Sequence, residues 1–345
     1  MEQEASFPIT CTPALADFFQ LPAWFELLLK FGFERKPYWV GNLPISPIGG
    51  GAGGGGVFPL MRLTKTSPIQ GVSNYYSPVF GPAWGAGVDA AEADLSGMLR
   101  VLRELPGSAV LMLQPFDQDD TFWRRLERGL ELSGYRTDRF FCFGNWYEVV
   151  RGRTFGDYWA LRPSRLRNTV ERARRRLEQK QSWGVEVLTS PGAALEQAIA
   201  AFEAVYARSW KQPEPCPGFM PGLIRMAAEM GALRLGQLCL GGEVVASQVW
   251  LVYGGKASIY KLAYVPGHEK LSLGSVLTAA LMHHVIDQDH VDEIDYLMGD
   301  DHYKQDWMSS RRERVGLIAF DTRSMFGLYA WARHHAGRWV RHLVK

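Results

Sequence analysis

Cysteine, net charge and long apolar runs are all in short supply in this chain. The four cysteines, Cys11, Cys142, Cys216 and Cys239, are scattered with no CxxC pair, which excludes a thiolate zinc site and offers no disulfide framework. A reducing compartment suits such thiols. A formal charge of +2 on 345 residues excludes bulk attraction to polyanions, so any nucleic-acid contact must rest on a local patch. No stretch of about 18 apolar residues occurs, and MEQEASFPITCTPALADF has neither the basic start nor the apolar centre of a secretion signal. A cytoplasmic protein without a membrane span is therefore expected.

Nucleotide loops and metal motifs are missing as well. IGGGAGGGGVFPL contains Gly51-x-Gly53-x-x-Gly56, yet it precedes a strand with Pro59 rather than opening a helix, and no Gly-Lys-Ser/Thr follows. A flexible loop is expected there. HHVIDQDHVDE (283–293) holds metal-capable side chains without ligand spacing, so a solvated helix end and no metal are expected.

What is present is a folded composition, 47% hydrophobic and 21% charged, long enough for two domains. The second half has sharp signals. Ser164 after Pro163 starts a helix whose Leu166, Val170, Ala173 and Leu177 recur at helical spacing. VEVLTS reads as a strand, Leu195, Ile199, Phe202 and Tyr206 mark the next helix, and FMPGLIRMAAEM a shorter one. LRLGQLCL, VVASQVWLVY and ASIYKLAYV, separated by GGE and GGK, form an antiparallel meander. LSLGSVLTAALMHHVID is then a helix, EIDYLM a strand, DHYKQDW a short helix and RVGLIAF a strand, giving β-α-α-β-β-β-α-β-α-β. The first half repeats this order loosely, and LQPFDQDDTFW (113–123) sits where LMGDDHYKQDW (297–307) sits in the second. Duplication of one α/β unit is the economical explanation, with domains at 1–155 and 156–345.

That element order, with FPLMRL, LRPSRLRNTVERARRRLE, YVPGHEKLSLGSVL and DYLMGDDHYKQDW, resembles the GNAT superfamily of acyltransferases over roughly residues 20–320. More narrowly it is similar to the bacterial tandem-GNAT acetyltransferases of cellulose-biosynthesis type, relatives of the Fem-type aminoacyltransferases, whose donor is an aminoacyl-tRNA. The resemblance implies an α/β fold with a mixed sheet and tandem duplicated GNAT-like domains. It also implies acetyl-CoA or another acyl-CoA bound where the third meander strand and EIDYLM splay apart. Backbone groups of Leu262, Ala263 and Tyr264 would hold the pantetheine, and the helix start at Ser272, Gly274 and Ser275, with Lys270 before it, would meet the pyrophosphate. Helix N-termini have unpaired donors and a partial positive charge that favour anions. LSLGS nevertheless has one glycine where the superfamily loop has more, and an ordinary Ser-capped helix stands beside the cofactor reading.

Acyl transfer to an amine needs a deprotonated amine, a polarised carbonyl and a proton for the leaving group. The resemblance places a tyrosine acid at Tyr303. With Asp300 as N-cap, Tyr303 and Lys304 share one side of the helix, and Trp307 stacks over Tyr303. Tyr303 is then the general acid, Asp300 positions the helix or assists deprotonation together with Asp301, and Lys304 stabilises developing negative charge. A capped helix with an Asp300/Lys304 ion pair is the plain alternative. Lys261 and Gln248 of the meander are expected to be structural or solvated. The first half lacks the Tyr-Lys pair, which points to the second half for chemistry and to the first for shaping the acceptor side.

Residues 151–180 carry ten Arg/Lys against three Asp/Glu, readable as a solvated face, a coenzyme A contact or a tRNA contact. The basic tail SMFGLYAWARHHAGRWVRHLVK either packs against the domains or rests on a membrane surface, which would make the protein peripheral to the inner membrane. The main expectation is an N-acyltransferase acting on a small or carbohydrate-linked amine. An aminoacyl-tRNA-dependent Fem-type transferase is its first alternative, and a GNAT-like scaffold without catalysis the second. Acceptor, acyl-chain length, general base and oligomeric state are not legible.

Overall fold

The computed structural model describes residues 17–47, 55–85, 93–179 and 182–343. Cys11, Gly51, Gly53 and most of the glycine loop fall outside the described residues. The chain begins with α1 (Pro22–Phe31), β1 (Tyr38–Pro47), β2 (Gly56–Arg62), β3 (Ile69–Gly71), β4 (Ala83–Trp84), β5 (Ala93–Asp94), α2 (Ser96–Glu104), β6 (Val110–Asp117), α3 (Thr121–Leu132) and β7 (Tyr135–Val149). Next come α4 (Phe155–Ala160), α5 (Ser164–Glu178), β8 (Trp183–Leu188), α6 (Ala193–Arg208), α7 (Phe219–Glu229), β9 (Leu233–Leu240), β10 (Glu243–Tyr253) and β11 (Lys256–Tyr264). It ends with α8 (Leu273–Asp287), β12 (Glu293–Asp295), α9 (Lys304–Trp307), β13 (Ser310–Asp321) and α10 (Met325–Leu343). From β8 to β13 this is the element order expected from the sequence.

Two compact units emerge, Met1–Phe143 with Glu313–Lys345, and Gly144–Arg312. The expected cut at residue 155 thus falls inside the second unit, and the end of the chain goes with the first. In the first unit β1 and β2 are antiparallel, β2 and β3 antiparallel, β3 and β6 parallel, and β6 takes β13 antiparallel with Val315 opposite Phe116. Its core is aromatic, with Phe116 and Trp123 stacked at 3.9 Å. The tail helix α10 is tied in by His334 Nε2, 2.7 Å from Asp138 Oδ2, while Met325, Phe326 and Tyr329 are exposed. Among the described residues no helix is long and apolar enough to cross a membrane.

The second unit repeats that strand pattern in itself. β8, β9, β10 and β11 are antiparallel neighbours, β11 and β12 run parallel, and β12 takes the end of β7 antiparallel. Gly241-Gly242 and Gly254-Gly255 close the two hairpins with positive φ throughout, the backbone that two-residue turns between twisted strands require. Leu166, Val170, Ala173 and Leu177 of α5 are buried as their spacing demands, and α8 lies against the sheet with Val276, Leu277, Leu281 and Val285 fully enclosed.

Candidate active site

The parallel ladder of β11 and β12 ends at Ser258 opposite Asp295, while β11 runs on to Tyr264. The strands part there, and the chain leaving β12 is bent by Leu297 at φ +54° and Gly299 at φ +98°. A left-handed leucine costs roughly 1–3 kcal/mol and persists only where neighbours over-determine it. Those neighbours are polar and buried. Asp295, fully enclosed, accepts from Asn145 Nδ2 (2.5 Å), from the Leu297 N–H (2.6 Å) and from Arg312 Nη2 (2.5 Å). Asn145 Nδ2 also donates to the Leu297 carbonyl (2.9 Å), and Arg312 reaches Asn145 Oδ1 (2.7 Å) and Glu293 (2.7 Å).

Below the parted strands lies a cavity of about 590 Å³ whose walls include Leu262, Tyr264, Gly274, Ser275, Asp301 and Tyr303. Tyr303 is 45% exposed and meets Tyr296 edge-on at 5.8 Å. Burial against the wall, then the Asp301 carboxylate and Tyr264, push its phenol above the usual value of 10. It stays protonated across the physiological range.

Other expected side chains take different posts. Asp300 is not the N-cap of α9, which begins at Lys304 with no side-chain cap. Its carboxylate accepts from Trp146 Nε1 (2.8 Å) and two nitrogens of Arg311 (3.0 and 2.7 Å), and those Arg311 bonds hold it below the usual carboxylate range. Asp301 and Asp306, not Asp300, are the carboxylates that line the cavity. Lys304 is 4% exposed, and its ammonium donates to the carbonyls of Met298 (2.5 Å), Gly299 (3.1 Å) and Tyr296 (3.4 Å), with Asp301 at 3.3 Å. Three donors on three carbonyls make it a staple for the loop. Trp307 stands 5.9 Å from Trp159 rather than over Tyr303. Gln248 bonds Thr278 and the Gly274 carbonyl, and Lys261 pairs with Glu214 at 2.7 Å, so both are structural as expected.

At the helix start, Ser272 adopts φ +43° with no side-chain cap, and Lys270 is exposed with its carbonyl accepting from Arg176. A Cβ on Gly274 would stand 3.1 Å from the Tyr264 ring. The missing side chain leaves room for that ring. Ala263 is buried and pairs with Ser247. Trp210 and Lys211, just after α6, complete the cavity and were not singled out from the sequence. The Trp210 ring lies 4.4 Å from Tyr264, and Lys211 Nζ is 5.6 Å from the Trp210 centroid. Their only signal was position, between a helix end and QPEPCPG. Among the described residues no group of side chains is arranged to hold a metal ion.

Burial, and then the positive charge of Lys261, lower the Lys211 ammonium from its usual 10.5. Between the lowered and usual values the unfolded chain binds more protons, so stability rises with pH there, and below both values the burial cost is fully present. Lys211→Met is accordingly expected to melt higher than the parent at pH 7, with the gap closing toward alkaline pH. Thermal melts across that range check it, and a lower melting temperature at pH 7 would contradict it.

Residues 164–305 match the model described as Acetyltransferase (GNAT) domain. No curated protein matches the chain. Among solved structures, FemX is similar at a TM-score of 0.60 and 12% identity, covering 88% of this chain and 92% of its own. L-PGS from Bacillus licheniformis follows at 0.52 and 12% identity, covering 89% and 94%. The C-terminal domain of a protein assigned as a lysylphosphatidylglycerol synthetase in Agrobacterium fabrum gives 0.51 and 12%, covering 81% and 84%. The domain match supports an acyltransferase with a mixed α/β, GNAT-type fold, and the solved structures, at 12% identity, show likeness of fold; the narrower cellulose-biosynthesis type is not shown.

These findings correct the expected donor. Acetyl-CoA and other acyl-CoA donors are disfavoured, because the fold likeness runs to FemX and lysylphosphatidylglycerol synthetases, the Fem side of the resemblance.

Proposed function

We propose that the chain is a Fem-type aminoacyltransferase, moving an aminoacyl group from the 3′ end of a tRNA to the amine of a small or carbohydrate-linked acceptor. The observation that carries this reading is the composition of one cavity. A protonated phenol, Tyr303, shares it with Lys211 and with Arg165, which pairs with Asp306 at 2.7 Å, at the head of the arginine-rich α5. Cations in the lining and along α5 suit a phosphate-bearing donor. The raised phenol suits the bond to be broken. A thiolate (pKa about 8.5) needs little help to leave, whereas a ribose alkoxide, nearer in basicity to hydroxide (water about 15.7), needs a proton.

The amine nitrogen attacks the ester carbonyl carbon. As the carbon–oxygen bond to the ribose breaks, the ribose oxygen takes the electron pair and the Tyr303 proton. The proton shed by the amine returns to the phenolate, through water or Asp301, leaving the protein unchanged. Lys304 and Asp300 act by position, fixing the loop that carries Asp301 and Tyr303. The shared strand pattern of the two units supports reading them as related copies, the first, without a Tyr-Lys pair, serving the acceptor.

The test uses tRNA charged with labelled amino acids, the purified protein and a panel of amines. Label is expected to pass from RNA to amine, and ribonuclease added beforehand is expected to abolish transfer. Transfer indifferent to ribonuclease would sink the reading.

A further inference from the structure

α5 has two flanks with cavities. Arg165, Leu166 and Thr169 face the Tyr303 cavity, while Arg167 and Arg174 face another of about 480 Å³ that the chemistry above does not use. One wall of this second cavity is aromatic. Phe155 and Trp159, both half-buried, stack at 5.5 Å with 21° between planes, and His283 meets Phe155 edge-on at 5.2 Å. The opposite wall is cationic. Arg167 Nε is buried and finds no hydrogen-bond partner among the described residues, although buried polar groups are nearly always paired. The acid on that wall, Glu171, is committed to Arg175. An aromatic pair and arginine side chains lining one cavity are complementary to a nucleotide, whose base stacks and whose phosphate accepts.

The crest of α5 joins the two cavities. Arg165, Arg172 and Arg175 line a shallow hollow on it, so guanidinium groups continue from one flank to the other. The crest is one helix wide, about 10–12 Å, a span of few nucleotides. We infer that the Phe155/Trp159/Arg167/Arg174 cavity holds a nucleotide of the single-stranded 3′ region of the donor RNA. The base lies against Trp159, the phosphate on Arg167 and Arg174, and the strand crosses the crest to deliver its esterified end to Tyr303. This rests on the proposed RNA donor and adds where that RNA is gripped.

Anisotropy of a labelled RNA hairpin with an unpaired 3′-CCA end tests it, comparing the parent protein with the R167Q/R174Q double variant across a salt series. The double variant is expected to bind at least about tenfold more weakly, with a salt slope shallower by about 1.4 for two lost phosphate contacts on a single strand. Because Arg167 Nε lacks a partner, its melting temperature should match or exceed the parent's, which separates lost binding from lost folding. W159L should weaken binding of the hairpin with the unpaired end and leave binding of a blunt hairpin unchanged. Equal affinity and equal slope in the double variant overturn the inference while the donor reading stands. No binding by the parent protein removes both.

Discussion

Tyr303→Phe lowers turnover about 10²–10⁴-fold, the range a positioned general acid contributes, and leaves RNA affinity unchanged. The hydroxyl lies on an open cavity wall, so its loss should shift stability by no more than about 0.5 kcal/mol. Single-turnover transfer and urea unfolding measure the two quantities, and a Phe variant at full rate ends the assignment. Because burial and Asp301 raise the phenol above 10, activity that depends on its proton should persist through that pH. An alkaline decline below it belongs to another group, and Lys211, lowered by burial, is the lysine in the same cavity.

Asp295→Ala has the largest expected cost in stability, about 3–5 kcal/mol, because removing one member of a buried ion pair strands the other. Arg312, Asn145 and the Leu297 N–H would all lose an acceptor. Leu297 would then relax from its left-handed backbone and carry the Tyr303 loop with it, so transfer should fall as well. Urea unfolding read as the midpoint at constant slope tests the first claim. A loss under about 1 kcal/mol would mean that apolar packing, not this network, holds the exit of β12.

How far the sequence reveals all this depends on which force is at work. Burial leaves a period in the chain, so α5, the meander, α8 and the order from β8 to β13 were legible from apolar spacing and Gly-Gly turns. Tyr303 in the strand exit was legible for the same reason, since a strand followed by glycine and a polar helix start marks where a cavity can open. Polar pairing leaves no period. Nothing near Asp300 announces Trp146 or Arg311, and those partners turned an expected cap into an anchored carboxylate. Lys304 was judged by charge alone, whereas three carbonyls reached by its ammonium decide its post. The donor is not legible, because a Ser-Gly helix start reads the same in sequence whichever donor the fold takes.

The way β13 closes the sheet of the first unit bears on how the protein is made. β6 (Val110–Asp117) leaves the ribosome long before β13 (Ser310–Asp321), the strand that pairs with it. At about 5–20 residues per second its unpaired edge waits for many seconds as a template for other chains. β12 faces no such delay, since the end of β7 is already made when it emerges. Translation therefore favours completion of the half that carries Tyr303 first, and leaves the other half as the one that needs shelter until β13 emerges.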